Sequence, residues 1–266
     1  MKMESPTDKL LARKDGAMGW IVFNQPQKHN AVSYEMWQAL PMVLDQFARD
    51  EEVRVVILKG EGEKAFISGA DISQFGEKRS TMEAVLEYNA ASDRASKALQ
   101  EFPKPTLAMI RGYCIGGGVA VAVGCDLRLA ADDTRYAIPA GKLGLGYRFA
   151  GVRRLMDLVG PSFAAEIFYT ARQFNAAEAL QMGLVNRVVP VAELERHTLE
   201  YANTIAGNAP LTLASIKRSI IEWHKDPDKR DLGLAQKLVD ECYQSEDYKE
   251  GRTAFMEKRK PVFKGR

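Results

Sequence analysis

The chain has 266 residues and a mass of 29.6 kDa, a length that fits either one large α/β unit or two domains. Hydrophobic residues make up 46% of it and charged residues 27%, as in ordinary soluble globular proteins. The 37 Lys and Arg residues nearly balance the 35 Asp and Glu residues, giving a formal charge of +2 that argues against a general nucleic-acid-binding protein and against a polybasic membrane-surface protein.

The first residues are polar and lack the apolar stretch of a signal peptide. Nowhere does the sequence reach the roughly 18 uncharged apolar residues that a membrane span requires. We therefore expect a soluble, cytoplasmic protein that binds neither a membrane nor a nucleic acid.

Short apolar runs rich in β-branched residues predict four strands, at residues 20–23, 53–58, 106–110 and 127–131. Apolar residues at helical spacing predict helices over 34–47, between the first two strands, and over 82–102. Strands that alternate with helices indicate an α/β core with largely parallel connections.

Beyond about residue 149 the pattern becomes mainly helical. Helical periodicity covers residues 162–169, 176–182, 193–205, 211–223 and 234–242. Breaker clusters at 208–210 and 225–228 separate the last helices. We interpret residues 1–205 as one α/β core and residues 206–266 as a C-terminal helical region.

Three consecutive glycines, Gly116, Gly117 and Gly118, follow the third predicted strand and open an apolar helix. Such a run can leave backbone N–H groups pointing at a ligand, where the helix dipole favours negative charge. The alternative is a tight strand-to-helix turn that only allows close packing. A dinucleotide fingerprint fits poorly because Val121 stands where its third glycine belongs, and the lysine of a P-loop is missing.

A second segment of small residues, Ser68-Gly69-Ala70-Asp71, follows the second predicted strand and its turn. Small side chains let a ligand approach the backbone. The same residues also make common turns, and Asp71 is a plausible N-cap for the next segment.

Together these segments resemble the crotonase superfamily, also called the enoyl-CoA hydratase/isomerase family, over essentially the whole chain. The order and spacing of the motifs make the match specific. The matching motifs are residues 24–26 with 30–31, 66–72, 104–105, 112–118, 125–126, 176–189 and 251–261.

The resemblance implies a spiral core of ββα units and a C-terminal helical region used in oligomerisation. It also implies assembly as a homotrimer or a dimer of trimers. Substrates would be acyl-CoA thioesters, with coenzyme A as part of the substrate and no prosthetic group. The family's oxyanion hole consists of two backbone N–H groups, which match Ser68 and Gly117. Two such donors can stabilise a thioester enolate where its charge develops.

The two glutamates of the family's hydratases match Ala120 and Ala140 in this sequence. A third position, where certain isomerases and hydrolases carry an acid, matches Arg148. Because a positioned acid or base contributes a factor of about 10²–10⁴ to the rate, hydration by the usual route should be badly impaired.

Residues 143–148 are similar to the corresponding loop of methylmalonyl-CoA decarboxylases, which have a tyrosine at the position of Tyr147. The match is incomplete, because those enzymes carry a histidine where this chain has Ala70 and a glutamate where it has Ala120. Decarboxylation of a malonyl-type thioester nevertheless needs an oxyanion hole but no base for C–H abstraction.

In this hypothesis Tyr147 orients the substrate carboxylate or helps to reprotonate the enolate, and Arg148 pairs with the carboxylate. Apart from the resemblance, the two residues could equally be a loop tyrosine and a solvent-facing arginine. Two other functions stay open. One is hydration or double-bond isomerisation with unconventional residues, and the other is acyl-CoA binding without turnover.

Lys28 and His29 match the loop that contacts the nucleotide of coenzyme A in the family, although Lys28 could also be an ordinary exposed loop cation. The backbone of Ala70, Asp71 and Ile72 resembles the family's adenine contacts. No metal site is expected, because the three cysteines and three histidines are too widely spaced in sequence to form a ligand motif.

Overall fold

A computed structural model of the protein describes residues 1–74 and 81–266, with only the backbone described at Ile72. Strands alternate with helices, which confirms the predicted α/β class. The strands are β1 (Leu10–Asp15), β2 (Met18–Phe23), β3 (Val55–Gly60), β4 (Ala65–Ile67), β5 (Thr106–Ile110), β6 (Tyr113–Ile115), β7 (Leu127–Ala131), β8 (Arg135–Ala137), β9 (Phe174–Asn175) and β10 (Arg187–Val189). The helices are α1 (Tyr34–Arg49), α2 (Met82–Gln100), α3 (Gly117–Gly124), α4 (Phe149–Thr170), α5 (Ala176–Gln181), α6 (Leu194–Ala206), α7 (Pro210–Trp223), α8 (Leu232–Gln244) and α9 (Glu246–Glu257).

The strands form two sheets. One has six strands in the order β1-β2-β3-β5-β7-β10, all parallel except the β1–β2 pair. The other has four strands in the order β4-β6-β8-β9, parallel except for β8–β9. Three successive units, β3-β4-α2, β5-β6-α3 and β7-β8-α4, each place one strand in each sheet before their helix. This repetition is the expected spiral of ββα units.

The smaller sheet positions the two segments of interest. β4 and β6 are parallel neighbours, with Ala65 opposite Tyr113 and Ile67 opposite Cys114. Because parallel neighbours end at the same edge of a sheet, the segment after β4 and the glycine run after β6 leave the sheet side by side.

Two glycines allow this close packing. A Cβ atom on Gly118 would lie 2.2 Å from the carbonyl oxygen of Ile67, so the start of α3 can rest on β4 only without a side chain there. A Cβ atom on Gly112 would lie 2.1 Å from the carbonyl oxygen of Lys64, and its φ of +63° is one that glycine adopts readily. Close packing therefore explains part of the glycine pattern.

The continuous apolar strands are buried on both faces. Residues 55–58 of β3 are all buried, and a second apolar cluster fills the space between the six-stranded sheet and α6. Leu107 of β5 and Leu194 of α6 meet in that cluster. The arrangement follows the rule that strands of mainly parallel sheets are hydrophobic throughout.

The C-terminal region is helical, as predicted, and exposes many large apolar side chains. Every side chain of α8 is at least partly exposed. Ile216 and Ile220 of α7 and Phe255 of α9 are also exposed. The division into a core of residues 1–205 and a C-terminal region of residues 206–266 stays a prediction, as does the role of the C-terminal region in oligomerisation.

Some predicted boundaries were wrong. The strand predicted at 53–58 starts at Val55. The helix predicted at 162–169 is the second half of the longer α4, which bends where Gly160 has a φ of 75° before Pro161. Strands β4, β6 and β8 have three residues each, too few to show an alternating pattern. Among the helices in the described ranges, none is long and apolar enough to cross a membrane.

Candidate active site

The glycine run and the Ser68 segment meet at their backbones. A Cβ atom on Gly117 would lie 3.6 Å from the carbonyl carbon of Gly69 and 3.8 Å from the nitrogen of Ala70. Gly116, with a φ of 52°, turns the chain from β6 into α3 at this point. The two segments that the sequence singled out are thus neighbours in the fold.

The Gly117 amide is the first N–H of α3. Gly116 donates its own N–H to the carbonyl oxygen of Ala137 at 2.8 Å, and the first helical bond runs from Ala120 to Gly116 at 3.1 Å. Within residues 1–74 and 81–266, no acceptor pairs with the Gly117 N–H. An unpaired donor at a helix N-terminus suits a negatively charged oxygen.

The Ser68 amide is placed differently. Its N–H donates to the carbonyl oxygen of His29 at 3.1 Å, and its hydroxyl donates to the carbonyl oxygen of Lys28 at 3.3 Å. The cause is an isolated β-bridge between Val32 and Ala70, just after β4, in which Val32 donates to Gly69 at 2.8 Å and Asp71 donates to Val32 at 2.9 Å. Of the two predicted donors, Gly117 has no acceptor in the described part of the chain, and Ser68 must exchange its acceptor before it can bind a thioester oxygen.

The two alanines that the resemblance matches to the hydratase glutamates lie in α3 and in the short segment after β8. Ala120 is half-buried one turn into α3. Ala140 is 7% exposed and lies in a short 3-10 helix, Pro139–Leu143, against the main apolar cluster. Neither position provides a carboxylate, so acid–base chemistry at these two positions is absent.

Arg148 is the N-cap residue of α4, and its guanidinium donates to the carboxylate of Asp93 on α2. The two side chains are 49% and 59% exposed. An exposed ion pair of this kind contributes little stability, so a substrate carboxylate could compete with Asp93 for Arg148.

Tyr147 packs against α4. Its ring centroid lies 4.7 Å from that of Phe168, and its ring covers Gly151, where a Cβ atom would come within 2.7 Å. Burial raises the pKa of the Tyr147 phenol, so the side chain stays protonated at neutral pH. In the described part of the chain, no hydrogen bond joins Tyr147 or Arg148 to Ser68 or Gly117.

The residues predicted to bind the nucleotide lie together. Lys28 donates to the carboxylate of Asp71 at 2.9 Å and to the hydroxyl of Ser73 at 2.8 Å. Burial alone would raise the pKa of Asp71, but the hydrogen bonds from Lys28 and Ser73 bring it below its usual value. Ala70 is half-buried beside them, and Ile72 begins the 3-10 helix Ile72–Gln74. Lys28 is therefore held next to this turn rather than free in solvent.

The loop that carries His29 is held from the inside by Asn30. The Asn30 amide group donates to the carbonyl oxygens of Glu61 and Ala65, both at 2.8 Å. His29 and Asn30 both have left-handed backbones, with φ of 52° and 55°. The His29 ring stacks on Tyr113, with centroids 6.2 Å apart. The sequence motif contained Asn30, but its function as a support for this loop was not predicted.

Sequence reasoning also missed the position of Trp37. Its Cζ2 atom lies 3.7 Å from the Cβ position of Gly117, and its indole N–H donates to the Tyr88 hydroxyl at 3.0 Å. The apolar spacing over residues 34–47 predicts only the helix itself. No local sequence pattern reveals that a residue of this helix lies next to a turn far along the chain.

Two of the three cysteines are poor nucleophiles in this fold. Cys114 and Cys125 are buried, and burial raises the pKa of both thiols, to about 12 for Cys125. In the described ranges, no group of three or more His, Cys, Asp or Glu side chains is arranged to hold a metal ion.

The spiral of ββα units and the paired backbone segments define a protein of the crotonase superfamily. The sequence model of the enoyl-CoA hydratase/isomerase family matches residues 13–266. The chain belongs to that family.

The relatives extend over almost the whole chain. The short-chain-enoyl-CoA hydratase of Clostridium acetobutylicum is 34% identical, covering 95% of this chain and 96% of the relative. The crotonyl-CoA hydratase of Syntrophomonas wolfei is 32% identical, covering 96% of this chain and 98% of the relative. The crystal structure of an enoyl-CoA hydratase/carnithine racemase from Magnetospirillum magneticum superposes with a TM-score of 0.91 at 33% identity, covering 98% of this chain and 97% of that one. The similarity of residues 143–148 to methylmalonyl-CoA decarboxylases stays a prediction.

Proposed function

We propose that this member of the enoyl-CoA hydratase/isomerase family decarboxylates a malonyl-type thioester through an enolate held at Gly117. The proposal rests on the Gly117 N–H, which has no acceptor among the described residues, together with the alanines, Ala120 and Ala140, at the positions that the resemblance assigns to the usual acid and base. The site can stabilise negative charge on oxygen, but it offers no carboxylate at either position to remove a proton or activate water.

The reaction needs only what the site provides. The bond between the α-carbon and the carboxylate breaks, CO2 leaves, and the electron pair moves onto the thioester oxygen. That oxygen accepts a hydrogen bond from the Gly117 N–H. A single donor of this kind contributes a factor of about 10²–10³ to the rate. A proton then adds to the α-carbon, from water or from the protonated phenol of Tyr147, and yields the shorter acyl-CoA.

Arg148 would orient the departing carboxylate. In the free protein Asp93 occupies its guanidinium, and a bound malonyl group would replace one carboxylate by another. Ser68 would supply the second amide once its N–H leaves the His29 carbonyl. Lys28, His29 and the backbone of Ala70–Ile72 would contact the nucleotide end of coenzyme A.

Purified protein incubated with malonyl-, methylmalonyl- and ethylmalonyl-CoA tests this function. We expect release of CO2 and a product lighter by one CO2, measured by mass spectrometry. Absence of CO2 from all three substrates would reject decarboxylation of a malonyl-type thioester.

Hydration is the second candidate, and the relatives support it, since those at 34% and 32% identity are named hydratases. It would require water held by groups other than the family's glutamates. The loss of the crotonyl-CoA enone absorbance distinguishes it from decarboxylation. Tight binding of acyl-CoA without conversion of any substrate would instead indicate a binding protein.

A further inference from the structure

The ring of Trp37 lies next to the Gly117 end of the proposed oxyanion hole. One point, the Cβ position of Gly117, is 3.7 Å from Trp37 Cζ2, 3.6 Å from the carbonyl carbon of Gly69 and 3.8 Å from the nitrogen of Ala70. The indole and the Gly69–Ala70 backbone therefore border the same space beside the Gly117 backbone. A change in the orientation of the indole would alter that space.

The backbone of α1 fixes the position of Trp37 on one side. The residue before the N-cap, Val32, exchanges hydrogen bonds with the 68–71 segment, at 2.8 Å to Gly69 and 2.9 Å from Asp71. Trp37 then bonds to the N-cap residue Ser33 at 3.2 Å, within the first turns of the helix. The start of α1 and the 68–71 segment thus form one hydrogen-bonded unit that carries the indole.

Helix α2 fixes the ring on the other side. The indole N–H donates to the Tyr88 hydroxyl at 3.0 Å, and both side chains are only 4% exposed. A buried indole N–H without an acceptor is costly, so this bond selects one orientation of the ring. An aliphatic side chain could fill the same space but would not be oriented by a hydrogen bond.

We infer that Trp37 and Tyr88 form a positioning pair that keeps the Gly117 N–H aligned with the thioester oxygen. This inference rests on the proposed role of Gly117 and not on the identity of the reaction. Trp37 acts through the backbone at Gly117, and Tyr88 acts through Trp37. Loss of their hydrogen bond would leave the fold and coenzyme A binding in place but would weaken the polarisation of the bound carbonyl.

The experiment measures this polarisation directly in the full-length protein. Difference infrared spectroscopy of bound butyryl-CoA, labelled with 13C at its thioester carbonyl, should show a red shift of the C=O stretch in the wild type. Tyr88→Phe and Trp37→Phe each remove the bond, from opposite sides, so the test does not depend on one variant. We expect each to reduce the red shift, and the double variant to behave like either single one.

A second measurement uses S-butyl-CoA, a thioether without the carbonyl oxygen. The ratio of the Kd of S-butyl-CoA to the Kd of butyryl-CoA reports the carbonyl contact alone. We expect this ratio to fall by about fivefold in each variant, which is the contribution of one hydrogen bond. Leu107→Ala, in the apolar cluster on the far side of the six-stranded sheet, is the control for loss of stability. It should lower Tm and leave both the red shift and the ratio unchanged.

The possible results separate the two ideas. A wild-type protein that binds butyryl-CoA without any red shift would contradict the proposed role of Gly117. A wild-type red shift that Tyr88→Phe and Trp37→Phe leave intact, while Tm falls as it does in Leu107→Ala, would overturn the positioning role alone. A red shift that is reduced in both variants but unchanged in Leu107→Ala would establish the positioning role.

Discussion

At the scale of single residues, the backbone N–H groups of Ser68 and Gly117 were predicted to act alike but differ in their hydrogen-bond partners. Gly117 begins a helix and so has no helical acceptor for its N–H, whereas Ser68 lies beside an isolated β-bridge and donates to His29. The Gly117 donor therefore comes from helix geometry and costs the fold nothing further. Binding at Ser68 would require the loss of an existing hydrogen bond. Gly117 should consequently contribute more to the net binding of an enolate oxygen.

Replacing Gly117 by proline removes this one donor. Proline is favoured at the first position of a helix, where its missing N–H is not needed by the helix, so α3 should still form. We expect turnover of the active thioester to fall by a factor of about 10²–10³. Gly117→Ala keeps the N–H, and its Cβ would meet neighbours at ordinary contact distances. Equal losses in the two variants, measured as kcat/KM, would show that the N–H is not the important feature.

Restoring the two carboxylates should restore the family's hydration chemistry. We expect Ala120→Glu combined with Ala140→Glu to raise crotonyl-CoA hydration by a factor of about 10²–10⁴ over the wild type. Because Ala140 is buried, a glutamate there would have a raised pKa, which suits a proton donor. The rate of enone absorbance loss provides the measurement, with each single variant as a comparison. If the double variant folds but gains nothing, other parts of the site must prevent hydration.

At the scale of elements, the contact between α3 and β4 determines where the donor points. Gly118→Ala would place a methyl group 2.2 Å from the Ile67 carbonyl oxygen, a clash with backbone that no rotamer change relieves. We expect a loss of about 2–3 kcal/mol in the free energy of unfolding. Gly146→Ala is the matched control, because nothing lies within 4 Å of its Cβ position. Chemical denaturation of both variants measures the difference, and equal midpoints would contradict the contact.

The ion pair between Lys28 and Asp71 predicts a pH dependence. The folded-state pKa of Asp71 is lowered, so its contribution to stability is present above the unfolded-state value of about 3.9 and is lost as pH falls through the lower folded-state pKa. Asp71→Asn should therefore have a lower Tm than the wild type at pH 7. Between pH 5 and pH 3 its Tm should fall less than that of the wild type. Parallel Tm curves for the two proteins would refute this contribution of Asp71.

The elements differ in how far sequence alone could predict them. The predicted bounds of β5 and β7 match the structure because both strands are mainly apolar and buried, although β7 contains Arg128. The short β4 and β6 carry no periodicity, yet they place the two functional segments side by side. The glycine run and the alanines at 120 and 140 were visible in the sequence. The bond from Ser68 to His29 was not, because it depends on a tertiary pairing that no local pattern encodes.

At the scale of the whole molecule, the C-terminal helices present apolar surface that a single chain does not cover. Ile216 and Ile220 lie one turn apart on α7 and are 53% and 52% exposed, while Trp223 and Leu232 nearby are more exposed still. Exposed apolar surface of this kind, on neighbouring helices, is typical of contacts between subunits. It supports the prediction that copies of the chain associate, while the homotrimer or dimer of trimers implied by the resemblance stays a prediction.

Charged substitutions on α7 test that assembly. Ile216→Glu combined with Ile220→Glu should shift the sedimentation coefficient from the oligomer to the monomer, because burying two carboxylates at an apolar contact is unfavourable. The α/β core should keep its secondary structure, since neither side chain belongs to an apolar core cluster. Lys237→Glu, an exposed change of charge on α8, is the control and should leave the sedimentation coefficient unchanged. An oligomer that persists in the double variant would place the subunit contact elsewhere. A wild-type protein that sediments as a monomer would remove the prediction altogether.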